Sequence, residues 1–290
     1  MDKKFLKYLA CPVCKRGMIF QREKLVCRQC GKSYKIKNGI PILVDLRHLS
    51  NHSKNQVQYF ENENTTKPDY QLSEWQKSYI GKFTRDLMPQ KDSLLVDLGT
   101  GTGYMAVELA RKGMQVIACD ITLNLLIKLQ KVLKAEGLED RVFLVCCSAE
   151  ELPLRNKIAD FFVANAILEH LPHETEAITE IGRICKQHAG MMFVAPLSYW
   201  YLNPFLLPIN ILHDKRIGHL RRYDAKSVAK KFDGWPLTKV YYTGHTMKVV
   251  KVLANYFRPI FDQKKIEKED ERKSKIKLWA SNICVILKKK

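Results

Sequence analysis

Acidic residues are scarce in this 290-residue chain: 30 Asp and Glu stand against 49 Lys and Arg, a formal net charge of +19. A basic excess of that size points to polyanionic partners, because fixed positive charge attracts phosphate. Long apolar runs are missing too. None approaches the roughly 18 residues that suggest a spanning helix, so no membrane-spanning segment is expected. The opening Met1-Asp2-Lys3-Lys4-Phe5-Leu6-Lys7 lacks the apolar core of an export signal, and a cytoplasmic chain is expected. There is no internal repeat, and no low-complexity tract beyond the Lys/Glu-rich 263–277. With 46% hydrophobic and 27% charged residues, the composition excludes wholesale disorder and allows a substantial core.

The basic excess sits at the ends. Residues 1–47 carry 12 basic and 3 acidic side chains, and residues 264–290 carry 10 and 4. These ends are candidates for an anionic membrane surface or for RNA phosphates; a merely solubilising surface is the plain alternative.

Cysteine is plentiful, with nine in the chain. In a chain expected to stay inside the cell, that points to metal ligation and free thiols rather than to disulfides. Cys11-Pro12-Val13-Cys14 and Cys27-Arg28-Gln29-Cys30 are separated by 12 residues. Two intervening residues let one tight turn present both sulfurs to a single ion, and four thiolates complete the tetrahedron that Zn²⁺ prefers. Such a closed set is structural rather than catalytic. The competing readings are unrelated buried cysteines, or a redox pair in a segment too small for a βαβ unit. A module of about 45 residues also needs such a staple in order to fold. Cys119, Cys146, Cys147, Cys185 and Cys284 lie in apolar surroundings and read as buried thiols.

From residue 93 onward, apolar strands alternate with helical patterns. Strands are expected near 94–96, 115–119, 141–146, 159–164 and 191–195, and helices over 103–112, 122–136 and 173–187. That alternation specifies a parallel sheet covered on both faces. An amphipathic helix is expected over 72–88, stopped by Pro89. Polar residues 47–71 read as a linker or loosely packed arm. After the break that follows Pro196, a helix (225–232), a strand (237–242), a helical stretch (245–257) and a last strand (281–287) are expected.

The sharpest motif is Val96-Asp97-Leu98-Gly99-Thr100-Gly101-Thr102-Gly103, directly after a strand and before a helix. Glycines there let the backbone approach a ligand, and the free N–H groups of the helix start accept negative charge. Asp120 ends the next strand, where a carboxylate can hold two ribose hydroxyls. A dinucleotide would also use these parts. However, the glycines run G-x-G-x-G with Tyr104 in the place of the last dinucleotide glycine. Asp97 would also repel a pyrophosphate, whereas it suits an ammonium. A ligand with an amino acid at one end and adenosine at the other fits both.

Residues 93–195 resemble class I S-adenosylmethionine (SAM)-dependent methyltransferases, particularly the branch of the ubiquinone/menaquinone-biosynthesis enzymes. The matching runs are Val96 to Gly103, Asp120, Ser148-Ala149-Glu150-Glu151-Leu152-Pro153, and Asp160-Phe161 through Leu168-Glu169-His170-Leu171. Residues 8–46, including Asn38-Gly39-Ile40-Pro41, resemble the small zinc-binding activator that partners tRNA, rRNA and release-factor methyltransferases, here fused in cis. The resemblance implies an α/β fold: a Rossmann-like seven-stranded methyltransferase sheet with an N-terminal zinc ribbon, using SAM and structural Zn²⁺. It implies that Asp97, Gly99, Thr100, Gly101 and Gly103 hold the methionine part of SAM and that Asp120 binds the ribose. Ile121 would lie against the adenine, Ala149 would touch the adenine edge through its backbone, and Asn165 and Ala166 would line the site near the sulfonium. Where the family often has Asp, this chain has Ser148, and Glu150 is the candidate replacement.

The expected organisation is a four-Cys module over 1–46, a linker and helical arm over 47–90, and a methyltransferase domain over 91–290 with an acceptor-side insertion at 197–223. The sulfonium is already activated, so the enzyme must mainly align the acceptor, with a base where an oxygen or nitrogen is methylated. In the loops after the fifth strand, His219 is the first choice for a base or acceptor contact. Arg221 and Arg222 are candidates to hold a phosphate or carboxylate, with a solvated surface pair as the alternative. The aromatic run 199–205 is a candidate to stack on bases, close an acceptor pocket or lean into a membrane, with ordinary packing as the alternative. A small, lipid-linked or sugar-containing acceptor is narrowly favoured over RNA. A non-enzymatic SAM-sensing scaffold is the third reading, opposed by the intact Asp97, glycine loop and Asp120.

Overall fold

The computed structural model describes residues 3–45, 49–63, 72–202, 204–245 and 262–290. At the N-terminus, β1 (Met18–Gln21), β2 (Lys24–Cys27), β3 (Ser33–Lys37) and β4 (Ile40–Pro41) form an antiparallel meander in the order β1-β2-β3-β4. Asn38 and Gly39, with φ of 53° and 77°, supply the turn between β3 and β4, as Asn-Gly pairs do in tight hairpins.

After these come α1 (Asn51–Glu63) and α2 (Glu74–Leu87), then β5 (Leu94–Leu98), α3 (Tyr104–Arg111), β6 (Gln115–Asp120), α4 (Leu123–Ala135) and β7 (Val142–Cys146). The chain continues through β8 (Ala159–Asn165), α5 (Glu174–Ile184), β9 (Cys185–Pro196), α6 (Leu207–Ile217), α7 (Ala225–Lys231), β10 (Leu237–Thr243), α8 (Gln263–Arg272) and β11 (Asn282–Lys288). Seven strands make one sheet in the order β10-β11-β9-β8-β5-β6-β7. The pairs from β9 to β7 are parallel, and β11 runs antiparallel to both β9 and β10. Every residue of β5 and β7 is buried, as strands covered on both faces require. Alternate side chains feed two cores. Val96 and Ile117 face α5, α7 and the N-terminal module, whereas Leu95 and Val116 face α2, α3 and α4.

The N-terminal module is not a free appendage. Phe5 stacks on Phe143 with ring centroids 4.6 Å apart, and Leu9, Met18, Leu25 and Leu43 are buried in the same core as the large sheet. Ile42 bridges Cys146 in parallel, and the N–H of Leu43 donates to the carbonyl of Cys146 at 2.8 Å. The module thereby covers the β7 edge.

Two expectations are revised, and a third segment gains a structure. Within the expected linker, 51–63 is helical and packs, with Gln56 donating to the Ile217 carbonyl at 3.0 Å. α5 ends at Ile184 and β9 begins at Cys185, because Ala159 pairs with Cys185 before the register shifts. Part of the Lys/Glu-rich tract forms α8, held to α2 by Lys82 and Glu271 at 2.5 Å. The helical stretch expected over 245–257 lies, from 246 on, outside the described residues.

Candidate active site

Two tight turns build the sulfur cluster. The N–H of Lys15 donates to the carbonyl of Cys11, and that of Gly31 to Cys27, with Lys15 and Gly31 at φ of 58° and 68°. The Sγ atoms of Cys11 and Cys30 are 3.7 Å apart and those of Cys14 and Cys27 are 3.4 Å apart. All four lie within 4.8 Å of one another. Thiolates at about 2.3 Å from a tetrahedral Zn²⁺ stand roughly 3.8 Å apart, so the set fits the ion. Burial works against a charged Cys27, but the N–H groups of Cys30 and Gln29 aimed at its sulfur outweigh burial and bring the thiol down to about 6.

A cavity of about 350 Å³ opens outside the carboxyl ends of the parallel strands. Of the expected donor residues, Gly99, Thr100, Gly101, Asp120, Ile121, Ala149, Glu150, Asn165 and Ala166 line it. The glycine loop needs its glycines for different reasons. Gly99, Gly101 and Gly103 all take positive φ. A Cβ on Gly103 would meet Leu129 at 2.3 Å, whereas one on Gly101 would meet nothing closer than 3.9 Å, so Gly101 keeps a ligand's approach open. Asp120 is buried and pinned: the N–H of Gly101 donates to its Oδ2 at 2.9 Å and that of Thr122 to its Oδ1 at 2.8 Å. Such a carboxylate retains lone pairs for hydroxyl donors.

Asp97 and Gly103 are not among the lining residues. Asp97 lies beneath the loop, where the Thr100 hydroxyl donates to its Oδ2 at 2.6 Å. Burial pushes its carboxyl up to about 7; the Thr100 bond opposes that and the neighbouring Asp120 adds to it. Ala166 takes φ of 54°, a strained conformation for a residue with a Cβ, and the adjoining Ile167 packs against Gly99. Asn165 donates from Nδ2 to the Tyr104 hydroxyl at 2.7 Å. Ser148 receives the N–H of Glu150, and Glu150 receives that of His173 at 3.0 Å, which turns the Glu150 side chain along the cavity wall.

The cavity has a cover that the sequence concealed. Ser53, Gln56 and Phe60 of α1 and Trp75 and Gln76 of α2 line it. α1 is fastened by His52, whose Nε2 is 2.9 Å from the carbonyl of His170, and by Glu61, which accepts from Asn124 at 2.9 Å. The only signal was His52, Gln56 and Phe60 at four-residue spacing, masked by polar neighbours.

On the acceptor side, His219 is not a lining residue, but its ring lies 4.7 Å from that of His170, which is. Nδ1 of His219 is 2.9 Å from Oδ1 of Asp214. Arg222 grips Asp214 with two bonds of 2.6 and 2.7 Å, and the Tyr199 hydroxyl donates to it as well. Burial would raise Asp214, yet His219, Arg222 and Tyr199 together hold it well below the usual carboxylate range. Both expected anion-holding arginines are already engaged. Arg222 is 5% exposed in its pair with Asp214, and Arg221 donates to the carbonyls of Leu168 and Leu171. Glu169 is fully buried, and burial lifts its carboxyl to about 8. Burial, with His219 adding, lowers His170 to about 3.

Comparison with known proteins completes the assignment. The sequence pattern of the methyltransferase-domain family matches residues 96–193, and that of the Trm112p-like proteins matches residues 2–39. The chain is a class I SAM-dependent methyltransferase with an N-terminal zinc ribbon. The ribbon of this methyltransferase is 49% identical over 47 residues to a UPF0434 protein of Hahella chejuensis, spanning 16% of this chain and 78% of that protein. Over 96 residues the methyltransferase is 28% identical to the tRNA 5-carboxymethoxyuridine methyltransferase of Escherichia coli K12, covering 33% of this chain and 36% of that one. In fold it is similar to geranyl diphosphate C-methyltransferase from Streptomyces coelicolor A3(2), with a TM-score of 0.60 and 14% identity over 83% of this chain and 99% of that chain. Among the described residues, no helix is long and apolar enough to cross a membrane.

Proposed function

We propose that this methyltransferase acts on a small acceptor with an apolar part, most simply a lipid-linked one, in the cytoplasm. The observation that carries this reading is the inversion of α6. Its polar Asn210 and Asp214 are buried, whereas Leu212 is 66% exposed and the neighbouring Trp200 and Phe205 are each 89% exposed. A surface helix normally turns its apolar side inward, so this insertion is built to meet something apolar beside the acceptor side of the fold. Lys215, in the last turn of α6, is a further basic contact for an anionic group. The geranyl diphosphate enzyme of similar fold is described with an acceptor of that build, an apolar chain with an anionic end.

In this reading the ribbon spans 1–46, α1 and α2 (within 47–90) cover the cavity, and 91–290 form the catalytic unit with its insertion at 197–223. Gly99 to Gly103 hold the methionine part of SAM, with Asp97 beneath them, and Asp120 holds the ribose. Ile121, Ala149 and Glu150 receive the adenine, Asn165 and Ala166 stand by the sulfonium, and His219 serves the acceptor. The basic ends, 1–47 and 264–290, are surface contacts for anionic lipid.

RNA is the second reading, favoured by the +19 charge and by the similarity to a tRNA methyltransferase. Labelled SAM incubated with purified lipid, rRNA and tRNA separates the two. Label in the lipid fraction supports the proposal. Single-site label in RNA with unlabelled lipid overturns it and makes the ribbon an RNA-binding element.

A further inference from the structure

We propose that Glu169, His170 and His219 bind one divalent transition-metal ion at the wall between the donor cavity and the acceptor side. Glu169 is fully buried, and among the described residues neither of its carboxylate oxygens has a hydrogen-bond partner. Nδ1 of His170 is also buried without one. Native folds seldom leave such groups bare, since each unmet acceptor costs its full desolvation. The facing side chain is His219, whose Nε2 stands 3.8 Å from Oε1 of Glu169, beyond hydrogen-bond reach. The three side chains place one ligand atom each within 4.8 Å of the others. An ion about 2.1 Å from each would draw the atoms together by roughly an ångström.

The surroundings prepare these groups as ligands. Asp214 engages Nδ1 of His219, which leaves the Nε2 lone pair turned toward Glu169, the arrangement by which a carboxylate orients a metal-bound histidine. Asp214 is itself locked by Arg222. The carbonyl of Glu169 accepts from the N–H of Leu220 and that of His170 is engaged by His52, so the short turn Leu168–His170 is held from two sides. Two imidazoles and one carboxylate suit Zn²⁺, Mn²⁺ or Fe²⁺, and three protein ligands leave positions open.

The ion's role rests on the acceptor reading above. Because His170 lines the cavity, an acceptor hydroxyl placed there reaches the open positions. Coordination lowers the hydroxyl's pKa and its proton passes to water. The oxygen's electron pair then forms the O–CH₃ bond as the CH₃–S bond breaks, its electrons staying on sulfur to give S-adenosylhomocysteine. His219 then serves the acceptor through the ion rather than as a base.

The test measures binding without any acceptor. Full-length protein freed of labile metal, its ribbon zinc retained, is equilibrated with Mn²⁺ and followed by electron paramagnetic resonance, and separately with Zn²⁺ and followed by elemental analysis. The expected result is one further ion per chain, a higher Tm in its presence, and at least tenfold weaker uptake in Glu169→Gln and in His219→Gln. S-adenosylhomocysteine binding shows that each variant is folded, and where one does not fold the other decides. A chain that takes up no metal beyond the ribbon's zinc, or folded variants that bind as the parent does, overturns the site. Lipid labelling is independent: metal uptake with unlabelled lipid preserves the site and removes only the acceptor reading.

Discussion

At the residue scale, Asp97 and Asp120 show how one loop uses two carboxylates differently. Both are buried, but Asp120 is satisfied by two backbone N–H groups whereas Asp97 relies on the Thr100 hydroxyl. The groups facing Asp97 are that hydroxyl, the N–H of Ala106 and the like charge of Asp120, and burial outweighs them to place it at about 7. Its folded pKa is raised, so the ionised form is the strained one. In the free enzyme, Asp97 subtracts stability progressively as pH rises toward 7 and by a constant amount above it. An ammonium favours the ionised form. SAM affinity is therefore expected to fall about tenfold per pH unit below about 7 and to level off above it. Asp97→Asn should weaken SAM by about 1.5–3 kcal/mol near pH 8 and abolish the acid limb. Calorimetry across pH reads both effects, and an unchanged acid limb in the variant would remove Asp97 from the ligand's neighbourhood.

At the element scale, α6 offers the most direct check of the acceptor side. Leu212→Lys and Phe205→Ser alter exposed side chains, so Tm is expected to move by less than about 2 °C. Vesicle binding and labelling of lipid acceptors should drop at least tenfold while S-adenosylhomocysteine binding stays unchanged. Retention of both would show that the inverted helix serves some other contact. Elements also differ in how plainly they could be read from sequence. The strands of the large sheet were legible because apolar runs such as Leu94-Leu95-Val96 have few alternative conformations in a globular chain. α1 and α8 were not, because Asn51–Glu63 and Gln263–Arg272 are mostly polar and owe their packing to a few contacts, such as Glu61 with Asn124 and Lys82 with Glu271. In the site, the glycine loop and the cysteine pairs announced themselves through spacing. Glu169 and His219 carry no such mark: 50 residues separate them, and only the return of the chain after α6 brings the two together. The engagement of Arg222 by Asp214 was equally hidden, since an arginine pair reads the same whether solvated or locked.

At the scale of the whole molecule, ribbon and catalytic unit share one core, with Phe5 against Phe143 and Leu43 bound to Cys146. Cys27→Ser, or removal of zinc by a strong chelator, is therefore expected to destabilise more than the first 46 residues. Calorimetry should give a single transition lowered by more than about 10 °C, since the folding energy of such sites resides largely in the metal. An early small transition followed by an unshifted main one would mean that the two parts fold independently.

The covering of β7 by the ribbon has a consequence for how the protein responds to dilution. An uncovered β7 would offer a row of unpaired backbone groups to any passing strand. A cover supplied by a separate chain would be lost as concentration falls below the dissociation constant. Here the cover travels with the edge it protects, at a local concentration on the order of millimolar for a short tether. Specific activity should thus stay constant from micromolar to nanomolar enzyme, and an added free ribbon should find no place to bind.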